Sequence, residues 1–143
     1  AQEESDPLYP IYTFVDADLS GTAESGKAEL GRLVGKQHGF DTVKPVQLIK
    51  YLVQTFTNKK DIILDFFSGS ATTAQAVIEQ NEEDHGTRKY ILVQIEEKCD
   101  PDGEAFKAGF KTICEIGKER IRRAGKQILS AGGGTVGDVR DAA

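Results

Sequence analysis

With 143 residues, 38% of them hydrophobic and 29% charged, the chain is sized for one domain. A domain of that length buries about two thirds of its unfolded surface. Its formal net charge of −5 has the wrong sign for a free-standing domain that must neutralise phosphates, which excludes strong DNA binding by this segment alone. No apolar run approaches the ~20 residues of a membrane span, and Ala1-Gln-Glu-Glu lacks the basic and apolar regions of a signal peptide, so no membrane partner and a cytoplasmic location are expected. The chain has no methionine, which reads as an internal piece of a longer protein.

Residues 1–22 read as an acidic, then extended lead-in. Ile11 to Val15 is a short predicted strand and Asp16 to Gly21 a turn. A helix is predicted over Glu24 to Val34, and Gly35 to Gly39 interrupts the chain. Pro45 fits the first position of the next helix, where its missing donor would be unpaired anyway. Leu48, Ile49, Leu52, Val53 and Phe56 share one face of that helix, predicted to dock on a sheet.

The segment Asp61-Ile-Ile-Leu-Asp-Phe-Phe-Ser-Gly-Ser-Ala-Thr-Thr-Ala-Gln-Ala-Val77 reads as a strand, a small-residue turn and a helix. The continuous run Ile62, Ile63, Leu64 predicts a parallel strand covered on both faces. Gly69 lets the backbone approach a ligand, and Ser70 or Thr72 can cap the helix, whose free amides then face whatever lies above the strand. This is the construction of a nucleotide-cofactor cradle. It is a poor dinucleotide fingerprint, because Ala71 and Ala74 occupy the second and third glycine positions, and no Gly-Lys-Ser/Thr follows for a phosphate-binding P-loop.

Asn81 to Thr87 is a polar loop leading into a strand over Tyr90 to Ile95, which completes a strand-helix-strand unit. Asp100-Pro-Asp-Gly103 is a turn sequence. The last predicted helix runs from about Thr112 to Leu129, with Ile113, Gly117, Ile121, Ala124 and Ile128 as its buried row. Lys118, Arg122, Arg123 and Lys126 form a basic face with Glu115 and Glu119 as partners, read as solvated and salt-bridged. Residues 131–143 read as a flexible tail. Cys99 and Cys114 lack metal-ligand spacing and read as ordinary thiols. His38 and His85 sit in polar segments with no assigned role.

The acid-aromatic-aromatic-Ser-Gly-Ser-small-Thr-Thr run closely resembles the S-adenosylmethionine loop of amino-methylating DNA methyltransferases. Phe40-Asp-Thr-Val-Lys-Pro-Val-Gln-Leu-Ile-Lys-Tyr-Leu-Val53 is similar to the Lys-Pro helix motif of the same enzymes. Arg88-Lys-Tyr-Ile-Leu-Val-Gln-Ile-Glu-Glu97 and Gly109 to Arg123 resemble their second strand and following helix. The order of these motifs is that of the circularly permuted beta group, and the wording is most similar to the modification (Mod) subunits of type III restriction-modification systems, over roughly residues 10–130. The resemblance implies an α/β fold, part of a Rossmann-like three-layer sheet, with the cofactor-binding part spanning 23–130. It implies S-adenosylmethionine as cofactor and adenine N6 as the methylated atom. The implied partners are DNA through the full-length enzyme, a restriction (Res) subunit and a second copy in a homodimer.

The same resemblance assigns cofactor contact to Asp65, Phe66, Phe67, Ser68, Gly69, Ser70, Thr72 and Thr73. Thr42 and Lys44 are brought near the methionine end of the cofactor. Gln94, at the end of the second strand, is placed toward the ribose hydroxyls, although Glu96 and Glu97 are near alternatives. Asp65 alternatively accepts only from turn amides, and Phe66 and Phe67 alternatively fill the core, Phe67 less so because it already lies in the turn. Ala71 stands where the pattern usually has glycine, and tolerance with a negative φ is expected. No catalytic residue is assigned, because the polar-Pro-Pro-aromatic signature that holds a flipped base is absent. Asp6-Pro-Leu-Tyr9 imitates it by chance. A non-catalytic nucleotide-binding or assembly module is the alternative reading, and an NAD-dependent enzyme is a third.

Overall fold

The computed structural model describes residues 14–132. Asp16 opens this part by capping α1 (Ala17–Ser20), its carboxylate accepting from the Asp18 amide at 3.0 Å. The predicted turn over 16–21 is therefore a single helical turn. Phe14 and Val15 are not in a strand; the rest of the predicted strand, the Asp6–Tyr9 segment and residues 133–143 lie outside the described residues.

Helix α2 (Ala23–Val34) begins with a reciprocal cap: the Ser25 amide donates to Thr22 Oγ1 at 3.2 Å, and the Thr22 amide donates to Ser25 Oγ at 3.0 Å. It buries Leu30, Leu33 and Val34 in a core shared with Val43, Ala105, Ile116 and Ala124. Gly26 is required on this face. A Cβ there would lie 2.3 Å from the Val43 carbonyl oxygen, so only glycine lets the Val43–Lys44 backbone lie against the helix.

Pro45 is extended (φ −67°, ψ 140°) and sits just ahead of α3 (Val46–Phe56), one position earlier than predicted. It offers no side-chain cap. Instead Glu29 reaches over from α2 and accepts from the Val46 amide at 3.2 Å. The predicted docking of α3 on a sheet is corrected: the helix packs on α4 (Thr72–Asp84), burying Val46 and Val53, while Leu52 and Phe56 stay exposed.

Strands β1 (Ile62–Asp65) and β2 (Lys89–Leu92) pair in parallel, with Ile62 opposite Lys89 and Leu64 opposite Ile91. The crossover is α4, which runs further into the predicted polar loop than expected. Arg88 fixes where β2 starts. Its buried guanidinium pairs with Asp84 at 2.9 Å and donates from Nε to Thr57 Oγ1 at 2.9 Å, tying the ends of α3 and α4 to the strand.

The expectation of a strand covered on both faces is corrected. Burial alternates along both strands, and Ile62, Leu64, Ile91 and Val93 form an exposed apolar row on one face. Among the described residues the sheet has two strands and helices on one side, so the full three-layer arrangement is not seen.

After α5 (Glu104–Lys107), α6 (Ile113–Gly132) extends past its predicted end into the expected tail. It contacts both α2 and α4. The surface that meets both buries Ile116, Gly117, Arg120 and Ala124, whereas Ile113, Ile121 and Ile128 are only half-buried. Arg122 and Arg123 pair with Glu119 at 3.6 and 2.6 Å, as the salt-bridged reading of that face predicts. Cys99 and Cys114 are free thiols.

Candidate functional site

The turn between β1 and α4 is held by its own polar groups. Asp65 ends the strand where an unpartnered carboxylate would be costly. One of its oxygens accepts from the Phe67 amide at 3.0 Å and the other from the Thr73 hydroxyl at 2.6 Å, so it joins the two ends of the turn. The Ser68 amide donates to the Val93 carbonyl at 3.2 Å, which hangs the turn on the end of β2.

Two consecutive bends in this turn are left-handed, at Gly69 (φ 48°) and Ala71 (φ 61°). The expectation of a negative φ at Ala71 is thereby corrected. Ala71, not Ser70 or Thr72, is the N-cap of α4, and it makes no side-chain cap bond. The Ser70 and Thr72 hydroxyls instead lie 3.4 Å apart on the buried side. The helix start thus carries no side-chain cap on the side from which a ligand would approach.

A cavity of about 350 Å³ lies against this turn. Its wall gathers Asp65, Phe67, Ser68, Gly69, Ser70, Thr72 and Thr73 with Thr42 and Lys44 from the segment ahead of α3, and Phe40, Val43 and Ile49 complete it. Residues about 25 positions apart in sequence are brought together here, with the Val43–Lys44 backbone lying against α2 at Gly26.

Two expected residues do not line the cavity. Phe66 continues the exposed row of Ile62 and Leu64 on the open side of the sheet and is 62% exposed, so it neither fills the core nor lines this cavity. Gln94 turns back to the loop: its side-chain oxygen accepts from the Gly69 amide at 2.7 Å and its nitrogen donates to the Ile95 carbonyl at 3.3 Å. As placed, it holds Gly69.

A family description, DNA methylase, matches residues 16–123, more than half of the chain. The chain belongs to the DNA methylase family. It is 41% identical over 122 residues to the Mod subunit of the type III restriction-modification enzyme StyLTI of Salmonella typhimurium, covering 85% of this chain and 19% of that protein. It is 40% identical over 106 residues to the EcoPI Mod subunit of Escherichia phage P1, covering 74% and 16%. With the EcoP15I Mod subunit of Escherichia coli the identity is 35% over 93 residues, covering 65% and 14%. The chain therefore spans less than a fifth of the length of these relatives.

Two residues of this DNA methylase segment went unread in the sequence. His38, in an apparently polar stretch, is buried beside Phe40, and its Nδ1 accepts from the Phe40 amide at 3.1 Å. Burial holds its pKa below the ordinary value, with a hydrogen bond to the Lys27 backbone pulling the other way. It holds the backbone of Phe40, whose residue lines both this cavity and a second one of about 470 Å³.

Arg120 is the larger omission. Its side chain is fully buried, and burial lowers its pKa to about 10, against the pull of Glu29 and Glu79. Nε donates to Gln75 Oε1 at 2.7 Å, and Nη1 reaches Thr72 Oγ1 at 2.7 Å and Ser70 Oγ at 2.9 Å. In sequence it is masked by the basic run around it. The signal was its spacing, three residues after Gly117 and four before Ala124, on the row that α6 buries.

Proposed function

We propose that the chain is the S-adenosylmethionine-binding portion of a DNA adenine-N6 methyltransferase, the Mod subunit of a type III restriction-modification system. The observation that carries this reading is the cavity lined by the turn after β1 together with Thr42 and Lys44, in a chain of the DNA methylase family.

The lining suits that cofactor. Lys44 provides a cation for a carboxylate, Asp65 an acceptor for an ammonium group, and Thr42, Ser68 and Thr73 place hydroxyls at the wall. Phe40, Val43, Ile49 and Phe67 give the apolar surface. S-adenosylmethionine, when bound, supplies an electrophilic methyl group on its sulfonium. The chain's own contribution is to fix the position of its ligand, which is worth most when the loop is already in its binding shape. Gln94 serves this end by holding Gly69.

The parent protein acts on DNA with a restriction (Res) subunit and as a homodimer in this reading. The 143 residues contain no Pro-Pro pair to hold a flipped adenine, and their net charge of −5 opposes DNA. Radiolabelled methyl transfer to mixed-sequence DNA is therefore expected to be absent with the chain alone and present with the parent protein.

Titration calorimetry tests the reading. S-adenosylmethionine should bind, and Lys44→Met, on an exposed residue, should weaken it at least tenfold, about 1.4 kcal/mol. Asp65→Ala, which also loosens the turn, should abolish the heat. An absence of heat at millimolar cofactor, or identical isotherms for all three proteins, would overturn it.

A further inference from the structure

We propose that Arg120 is a positioning residue of the cofactor loop, clamping the residues on either side of Ala71 so that the loop keeps its binding shape before any ligand arrives. The inference rests on the cofactor reading above for its purpose, but the clamp itself is a property of the free protein.

Four observations carry it. First, one nitrogen of Arg120 serves the turn: besides the two hydroxyls, Nη1 lies 3.3 Å from the Ser70 carbonyl, so Ser70 and Thr72 are both held while Ala71 between them is left-handed. A left-handed alanine relaxes unless its neighbours prevent it. Second, the N-cap of α4 makes no side-chain cap bond, so the helix start is held by side chains through Thr73 on Asp65 and through Ser70 and Thr72 on Arg120. Third, α6 meets the loop one turn earlier as well. A Cβ on Gly117 would stand 3.3 Å from the Gly69 carbonyl oxygen and 3.4 Å from the Ala71 Cβ, so the helix backs the loop at 117 and grips it at 120. Fourth, the guanidinium is fully buried although Nη2 has no hydrogen-bond partner. A buried charge with an unsatisfied donor is a poor way to stabilise a core, where an apolar side chain of similar volume serves as well or better. Such a group is retained where its directed hydrogen bonds set a geometry.

The grip extends outward through Gln75, which accepts from Arg120 and donates to Glu79 at 2.8 Å, and Glu79 pairs with Lys50 of α3 at 3.9 Å. The loop is thus referenced to α6 and, through α4, to the helix that follows Lys44.

Hydrogen exchange of the backbone amides in the ligand-free chain is the test, with wild type, Arg120→Lys, Thr72→Val and Arg122→Gln compared. Arg122 lies on the outer side of the same helix and serves as a control. Arg120→Lys keeps the charge but loses the fork, and Thr72→Val leaves the guanidinium in place while removing its 2.7 Å acceptor. Both are expected to speed exchange at Ala71 and Gln75, whose amides donate to the Ser68 and Ala71 carbonyls, at least tenfold while β1 and the middle of α6 keep their rates, and Arg122→Gln should change nothing. Unchanged loop amides, or a uniform rise across the domain, would overturn the proposal. If Arg120→Lys fails to fold, Thr72→Val decides by the same criterion. Binding of S-adenosylhomocysteine should fall at least tenfold in Arg120→Lys and Thr72→Val. Wild type that binds no nucleoside cofactor but shows the loop-specific exchange effect would refute the cofactor reading and leave the clamp standing.

Discussion

Ala71 has a φ of 61° with a methyl group that disfavours it. The left-handed region costs an alanine roughly 1–2 kcal/mol, and the extra freedom of glycine in the unfolded chain returns about 0.5–1 kcal/mol of that. Ala71→Gly is therefore expected to stabilise the chain slightly, raising Tm by roughly 2–5 °C, while Ala71→Val should lower it. A calorimetric melt that ranks valine above alanine would contradict this. His38 predicts a pH effect at the same scale. Its folded pKa lies below the unfolded value of 6.5, so the unfolded chain binds more protons as the pH falls. The stability that neutral His38 contributes is complete above about pH 6.5 and is lost as the pH falls from there toward the folded pKa. Urea midpoints should decline over that window in wild type and decline less in His38→Gln.

At the scale of elements, the site depends on how closely helices approach backbone. Helix α2 meets the Val43–Lys44 segment through Gly26, where an added methyl group has no room beside the Val43 carbonyl. Overpacking of this kind costs about 1–3 kcal/mol. Gly26→Ala should lower stability by about that amount, read from denaturant midpoints, and should weaken cofactor binding because Val43 and Lys44 line the cavity. Gly125→Ala is the comparison: a Cβ there meets nothing within 4 Å, so a small stabilisation from helix propensity is expected.

For the whole molecule the open face of the sheet decides behaviour. Ile62, Leu64, Phe66, Ile91, Val93 and Ile95 are all at least 45% exposed, so they form a row that a helix layer would cover in a doubly wound fold. Sedimentation of the 143-residue chain should show self-association. The pair Leu64→Glu and Ile91→Lys, opposite each other in register, should shift it toward monomer. A wild-type chain that sediments as a monomer and binds no apolar dye would refute this.

The sequence by itself determined the strand-turn-helix-strand unit and the helices α2, α3 and α6 around it, because those follow from periodicity and a distinctive run of small polar residues, whereas the single turns α1 and α5 did not show as helices. Thr42, Lys44, Asp65, Phe67, Ser68, Gly69, Ser70, Thr72 and Thr73, which the resemblance assigned to the cofactor, lie around one cavity. The sheet coverage and the docking of α3 were not, since an apolar run does not say how many layers will cover it or which neighbour a helix will meet. Gln94 was legible as a polar strand end, but its bond to Gly69 requires knowing that the turn folds back over β2. Ala71 and Arg120 were hidden for related reasons: a positive φ is set by the path between two packed elements, and a basic residue in a charged helix reads as solvated until a second helix covers it. Only tertiary packing places α6 against the loop, and that contact makes Arg120 part of the site.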